Sequence, residues 1–423
     1  MNRALRFLAL AAVVALVGAA CGGQAAPPTA TGTAPPTTSP APTLSGSLLI
    51  WADETRAPII KTFADQFAAQ NPGVTVEIQQ LNFGDIRDQL TQAGPAGEGP
   101  DVIIGAHDWL GQLVTAGVVA PIDLGDRAEE FLPVAIQAFT YNGQLYGVPY
   151  AIENVALVRN TELVPEPPAT WEELTQVALD LKEKGAVDIP LGLQVPDPYH
   201  EFPLFSAFGG YVFAQNPDGT YNPEDLGIDS PGGLRAARAF REWTKMGLIN
   251  KDVNYDVMIE KFGTGKAPFA ITGPWAISQP DTGFKATGVP YVVEPIPPVE
   301  GGMPRPFVGV QGFMVSAFAK NPLIAQTFVV DFMATDEAQY ALYQVGGRAP
   351  ALRSAFERAS SDPDIQGFGQ SGANGLPMPA IPEMASVWTA WTDAYTIIFS
   401  GKGDPEKAFR DAAEQIRTLI AGG

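Results

Sequence analysis

The residues in this chain with the chemistry to hold a ligand are carboxylates set beside aromatic rings, at points where the pattern turns. "GAHDWLG" places His107, Asp108 and Trp109 just after an apolar run. "VPYAIENVALVRN" carries Glu153 inside an otherwise apolar stretch. A carboxylate buried there must be hydrogen-bonded, or its burial is costly. "VPDPYHEFP" gathers Asp197, Tyr199 and His200 in a proline-punctuated loop. "AITGPWAIS" sets Trp275 after Gly273 and Pro274, and "MPAIPEMASVWTAW" brings Met378 and Trp388 to the start of a helix. Carboxylates accept hydrogen bonds from hydroxyl groups. Flat aromatic faces cover the C–H faces of a sugar ring and exclude water. As a set these residues suit a polyol site. Singly, Trp275 and Trp388 also suit core packing, and Asp108 also suits a cap.

Common catalytic signatures are missing. There is no G-x-S-x-G, no G-x-x-x-x-G-K-[ST] and no H-E-x-x-H. "GPAGEGPD" is glycine-rich without the dinucleotide fingerprint and reads as a tight loop before a strand. The two histidines, His107 and His200, stand far apart in sequence, so neither a metal nor a cofactor is expected. Asp108, Glu153 and Asp197 are still enough for the paired carboxylates of a glycoside hydrolase, which stays open as an alternative.

The net charge of the chain is −20. That excess of acid argues against nucleic acid, which requires a basic footprint, and gives no attraction to an anionic membrane surface. Between Ser47 and Gly423 there is room for two domains. "GSLLIWA" gives a strand over Leu48–Ala52. Ile60, Phe63, Ala64 and Phe67 recur at helical spacing up to Asn71-Pro72-Gly73. "VTVEIQQL" alternates as a strand, "FGDIRDQLTQAG" reads as a helix and "GPDVIIGAHDW" as another strand. Strand alternating with helix predicts an α/β fold with a largely parallel sheet, whose ligands gather at the carboxyl ends of strands. Further on, Thr170 with Glu173 forms a capping box. Ser230-Pro231, Asn321-Pro322 and Asp404-Pro405 each open a helix.

The N-terminus has a different character. "MNRALR" followed by "FLALAAVVALVGAA" is a positive segment and an apolar run of secretory-signal length, covering 1–20. Taking away the two positive charges of Arg3 and Arg6 makes the remaining charge −22. Cys21 is the only cysteine, so an internal disulfide is impossible. The stretch after it, "GGQAAPPTATGTAPPTTSPAPT", has no charge, six prolines and six threonines. It reads as a semi-stiff tether over 21–46.

On these residues the chain resembles the maltose/maltodextrin-binding proteins among the extracellular solute-binding proteins of ABC transporters. "GPDVIIGAHDWLGQLVTAGVVAPI", "FTYNGQLYGVPYAIENVALVRNTELVPEPPATWEEL", "YNPEDLGIDSPGGLRAARAF", "ITGPWAIS", "PFVGVQGFMVSAFAKNP" and "MPAIPEMASVWTAW" follow the family's order across Ser47–Gly423. The resemblance implies a periplasmic-binding-protein-like fold: two discontinuous α/β lobes, joined by a three-stranded hinge, with the ligand in the cleft. The implied N-lobe is 47–152 plus 307–358, and the C-lobe is 153–306 plus 359–423. It also implies a monomer that captures maltose-type sugars and delivers them to a permease, or a sensor that reads the same closure.

Carried onto matching positions, the implied ligand-binding residues are Asp108, Glu153, Asp197, Tyr199, Trp275, Met378 and Trp388. Trp109 joins them at a departure from the family's pattern: Gly105 stands where enteric members have tryptophan, and Trp109 where they have arginine. An aromatic ring is thereby expected to have moved across the "AHD" motif. Thr389 and Thr392 replace a tyrosine and an arginine. Asp53, Glu54 and Arg56 of "WADETRAP" follow the first strand and are candidate contacts there. In anchored members of the family the leader ends in a lipobox. Ala19 and Ala20 before Cys21 fit it, while Gly18 stands where leucine is usual. A lipidated Cys21 on the outer face of the cell membrane is therefore implied.

Overall fold

The elements that carry the candidate residues open on two βα units. Strand β1 (Gly46–Ala52), helix α1 (Ala57–Gln70), strand β2 (Val74–Gln80), helix α2 (Phe83–Ala93) and strand β3 (Val102–Ala106) follow one another. The computed structural model describes residues 44–217 and 219–422. The leader over 1–20, Cys21 and nearly all of the tether lie outside the described residues. Gly46, expected at the end of the tether, already pairs with Val74 as the first residue of β1. Helix α1 buries Ile60, Phe63, Ala64 and Phe67, the four residues of its apolar stripe, and Phe67 packs edge-on to Phe328 at 5.2 Å.

Two sheets organise the compact unit from Leu44 onward. The larger runs in the order Ala349–Pro350, Val148–Glu153, Phe307–Val315, β3, β1, β2, with Leu376–Pro377 beside Phe307–Val315. The smaller runs Tyr291–Glu294, Ala156–Asn160, Phe269–Thr272, Gly192–Leu193. The expected parallel arrangement holds for β2, β1 and β3, for Phe269–Thr272 with Gly192–Leu193 and for Phe307–Val315 with Leu376–Pro377, and the remaining pairs of the two sheets are antiparallel. Phe307–Val315 is antiparallel to both β3 and Val148–Glu153, and Ala156–Asn160 is antiparallel to both of its neighbours. Parallel neighbours need a long crossover connection. The strand that enters the smaller sheet from the larger instead arrives without one. Only Asn154 and Val155 separate Glu153 in the larger sheet from Ala156 in the smaller.

Local signals behave as their chemistry requires. Thr170 Oγ1 accepts from the Glu173 N–H at 3.2 Å, and the Glu173 carboxylate reaches back to the Ala169 N–H at 2.8 Å. Ser230 accepts from the Gly233 N–H and Asp404 from the Lys407 N–H. Among the described residues no helix is long and apolar enough to cross a membrane.

Candidate functional site

At the carboxyl end of β3 the chain turns through a single 3-10 turn, His107–Trp109. His107 holds that turn to two other segments. Its Nδ1 accepts the Val310 N–H at 3.1 Å, which leaves Nε2 to carry the proton and donate to the Met378 carbonyl at 3.2 Å. Burial drives this imidazole down to about 4, against the two backbone partners and Glu153, which act the other way. His107 is thus a neutral pin, and it fixes Met378 beside the cavity. Asp108 is 5 % exposed. Burial raises its carboxyl to about 6, opposed by Arg87 and by the Trp388 indole N–H, which donates to it at 3.2 Å.

Trp109 packs where Gly105 leaves room. A Cβ on Gly105 would lie 2.1 Å from the Trp109 ring, and Trp109 also packs on Phe83 at 4.7 Å. Gly273 stands under Trp275 in the same way, with a Cβ again 2.1 Å from the ring. Each glycine leaves room for an indole that a Cβ would fill. Trp109 is 4 % exposed and lines the cavity with the little surface that remains.

A second cluster sits at the end of β1. Arg56 binds Asp53 at 2.5 Å, donates to the Tyr150 hydroxyl at 2.8 Å and stands 3.6 Å from Glu153. Glu153 accepts from Arg348 and from Gln311, each at 2.6 Å. Thr55 adds its N–H and hydroxyl to Asp53. Burial pushes the Asp53 carboxyl up, but Arg56 and these hydrogen bonds outweigh it and hold the group below its usual range. Arg348 also lies over the Trp275 ring at 5.7 Å.

The segment read as a proline-punctuated loop is a helix, Pro198–Ala207, with Asp197 as its N-cap. Pro203 inside the segment argues against a helix when it is read by pattern. Pro198 at the first turn and the Asp197 cap, which accepts from the Tyr199 N–H at 3.0 Å, carry it nevertheless. Asp197 also accepts from Gln194 at 2.5 Å and faces His200 Nδ1 at 2.9 Å. Burial opposes its ionisation, but these partners prevail and keep its carboxyl below the usual range.

All eleven residues expected at a ligand site line one cavity of about 480 Å³. Asp53, Glu54 and Arg56 come from the end of β1; Asp108 and Trp109 follow β3; Glu153 ends its strand. Asp197, Tyr199 and Trp275 reach it from the region of the smaller sheet, and Met378 and Trp388 from the C-terminal segments. Thr392 lines it as well, whereas Thr389 is exposed. Arg348, Gln311, Tyr255 and Gln194 also line it and were not singled out from sequence. Gln311 had a usable signal, since it is a lone polar residue in the apolar run "FVGVQGFMV", the same pattern that marks Glu153. Arg348 had none. Among the described residues no cluster of three or more His, Cys, Asp or Glu side chains is arranged to hold a metal ion.

With this geometry, residues 62–367 match the family described as bacterial extracellular solute-binding protein. The chain is 30 % identical over 389 residues to the galactooligosaccharide-binding protein of Bacillus subtilis (strain 168), covering 88 % of this chain and 89 % of that one. It is 32 % identical over 361 residues to the maltotriose-binding protein of Pyrococcus abyssi (strain GE5 / Orsay), covering 81 % and 75 %. Among solved structures it is similar to the Thermus thermophilus maltotriose binding protein bound with maltotriose, at 31 % identity and a TM-score of 0.81, covering 88 % of this chain and all of that one.

Proposed function

The chain belongs to the bacterial extracellular solute-binding protein family, with a mixed α/β, periplasmic-binding-protein-like fold, and from that premise we propose that it captures maltose or maltooligosaccharides and delivers them to an ABC permease. One observation carries this reading. A single cavity joins hydroxyl-accepting carboxylates to the rings of Tyr199, Trp275 and Trp388, supplied from the regions of both sheets. The similarity to two maltotriose-binding proteins supports an α-glucoside over other sugars. In this reading the N-lobe is 47–152 plus 307–358 and the C-lobe 153–306 plus 359–423. A sugar that touches both lobes favours the closed state by the contacts it makes only there. Calorimetric titration with maltotriose, and with a β-linked galactotriose beside it, tests the proposal. Saturable binding of maltotriose is expected. Binding of the galactoside alone would overturn the sugar assignment.

Capture without cleavage is part of the same proposal. Glu153 and Asp197 are each engaged by two or more protein partners, which suits a fixed binding wall. Glucose released on prolonged incubation with maltotriose would overturn it. Lipidation of Cys21 would hold the protein at the outer face of the membrane, with the proline-rich tether setting its reach toward the permease. Mass spectrometry of the mature N-terminus is expected to find a diacylated cysteine as the first residue.

A further inference from the structure

The lining of the cavity is biased in its hydrogen-bonding sense, and the bias originates in the carboxylates. Gln311 is 2 % exposed and sits where the pairing of Phe307–Val315 with Val148–Glu153 shifts register. Its amide nitrogen donates to Glu153 at 2.6 Å. An ionised carboxylate only accepts, so the contact fixes the amide orientation and leaves Oε1 as an acceptor. That oxygen is buried and has no partner. His200, 5 % exposed, repeats the arrangement. Its Nδ1 faces the Asp197 carboxylate at 2.9 Å and donates to it, so in the neutral tautomer that this contact selects the proton sits on Nδ1. Nε2 is left as a lone-pair acceptor, buried and unpartnered, on a ring set edge-on to Tyr199 at 5.6 Å and to Trp275 at 5.7 Å. The Tyr199 hydroxyl is buried without a partner as well. Of the arginines that line the cavity, Arg56 and Arg348 are engaged by Asp53 and Glu153, and Arg87 by Asp88.

We infer that His200 and Gln311 are specificity-determining residues whose free acceptors, Nε2 and Oε1, read hydroxyl donors on a neutral sugar. The inference deepens the sugar-binding reading and rests on it. Each carboxylate fixes the polarity of its neighbour, and the neighbour then presents an acceptor to the ligand. Sugars that bring negative charge, such as uronates or sugar phosphates, find no free cation among these groups and are rejected. A buried acceptor left unmatched is penalised, so one missing hydroxyl is felt strongly.

The test is calorimetric titration at pH 8. The ligands are maltotriose and its monodeoxy and monodeoxyfluoro series. Fluorine keeps the size and polarity of a hydroxyl but cannot donate. The wild-type protein is expected to lose about tenfold in affinity at one position or more, equally for deoxy and fluoro sugars. His200→Asn keeps a donor toward Asp197 and removes Nε2. It is expected to bind maltotriose about tenfold more weakly and to show no further loss at the matching position. Fluoro sugars that bind as well as maltotriose at every position overturn the inference without any variant. Losses that simply add between His200→Asn and every deoxy position overturn the role of His200. Failure of the wild-type protein to bind maltotriose at all would overturn the functional reading, and this inference with it.

Discussion

Asp53 and Asp108 both follow a strand of the larger sheet, are 1 % and 5 % exposed, and line the same cavity, yet their carboxyls are driven in opposite directions. Asp53 meets Arg56 and both donors of Thr55 and falls below its usual range. Asp108 meets one indole N–H at 3.2 Å and rises to about 6. Burial is the first influence on both. What separates them is the number of donors the fold delivers. The Asp53 end is a charge-compensated scaffold around Glu153, next to the point where the chain leaves the larger sheet. The Asp108 end keeps unused accepting capacity beside Trp388 and Met378, which suits a group waiting for hydroxyls.

The largest effect is expected from making the first end like the second. Arg56→Met leaves Asp53 buried without its cation and should destabilise the protein by about 3–5 kcal/mol. Chemical denaturation at pH 7 measures it; a loss under 1 kcal/mol would mean that the network is not structural.

The next effect comes from neutralising the second end. The folded state raises the Asp108 pKa from 3.8 to about 6, so it binds the proton more tightly than the unfolded chain. The charged group therefore lowers stability above pH 6, and this cost fades as pH falls from 6 to 3.8. Asp108→Asn should stabilise the sugar-free protein at pH 7 by up to about 3 kcal/mol, with the gap closing by pH 4. It should also weaken sugar binding. A variant less stable than wild type at pH 7 would contradict the assignment.

Removing an aromatic wall should cost binding and leave the fold intact. Trp275→Ala and Trp388→Ala are each expected to weaken maltotriose binding by about 2 kcal/mol while unfolding stays cooperative. Unchanged affinity in both variants would remove these rings from the site.

The smallest effect separates Asp108 from its neighbour His107. The folded His107 pKa is depressed to about 4 from 6.5, so its contribution to stability is present above pH 6.5 and is lost as pH falls toward 4. Between pH 7 and 5 that loss and the Asp108 gain oppose each other and should leave a net change of about 1 kcal/mol or less from the pair. Asp108→Asn removes the compensation, and its stability should then fall by about 2 kcal/mol over the same interval. Denaturation curves at the two pH values for both proteins check this.

Much of the candidate site was legible because its residues break a local pattern. Glu153 interrupts an apolar run, Asp108 and Trp109 follow an apolar strand, and Trp275 follows a Gly-Pro turn. Gln311 breaks its run in the same way. The helix after Asp197 was misread because Pro203 argues against a helix, whereas the Asp197 cap and Pro198 argue for one, and local rules do not weigh the three.

From sequence alone came the element types, the stripe on α1, the caps at Thr170, Ser230 and Asp404, and the membership of the carboxylate and aromatic set. These depend on periodicity and on neighbours three or four residues away. Only the tertiary structure decided which donors meet which carboxylates. Arg348 reaches Glu153 across 195 residues of chain, Gln311 across 158, and Trp388 reaches Asp108 across 280. Strand order and the two-residue passage from one sheet to the other bring those groups together, and at low exposure a paired cation with its added donors sends the Asp53 carboxyl one way while burial sends Asp108 the other. For that reason the ionisation of Asp53 and Asp108, and the acceptors left on His200 and Gln311, are properties of the fold and not of any stretch of sequence.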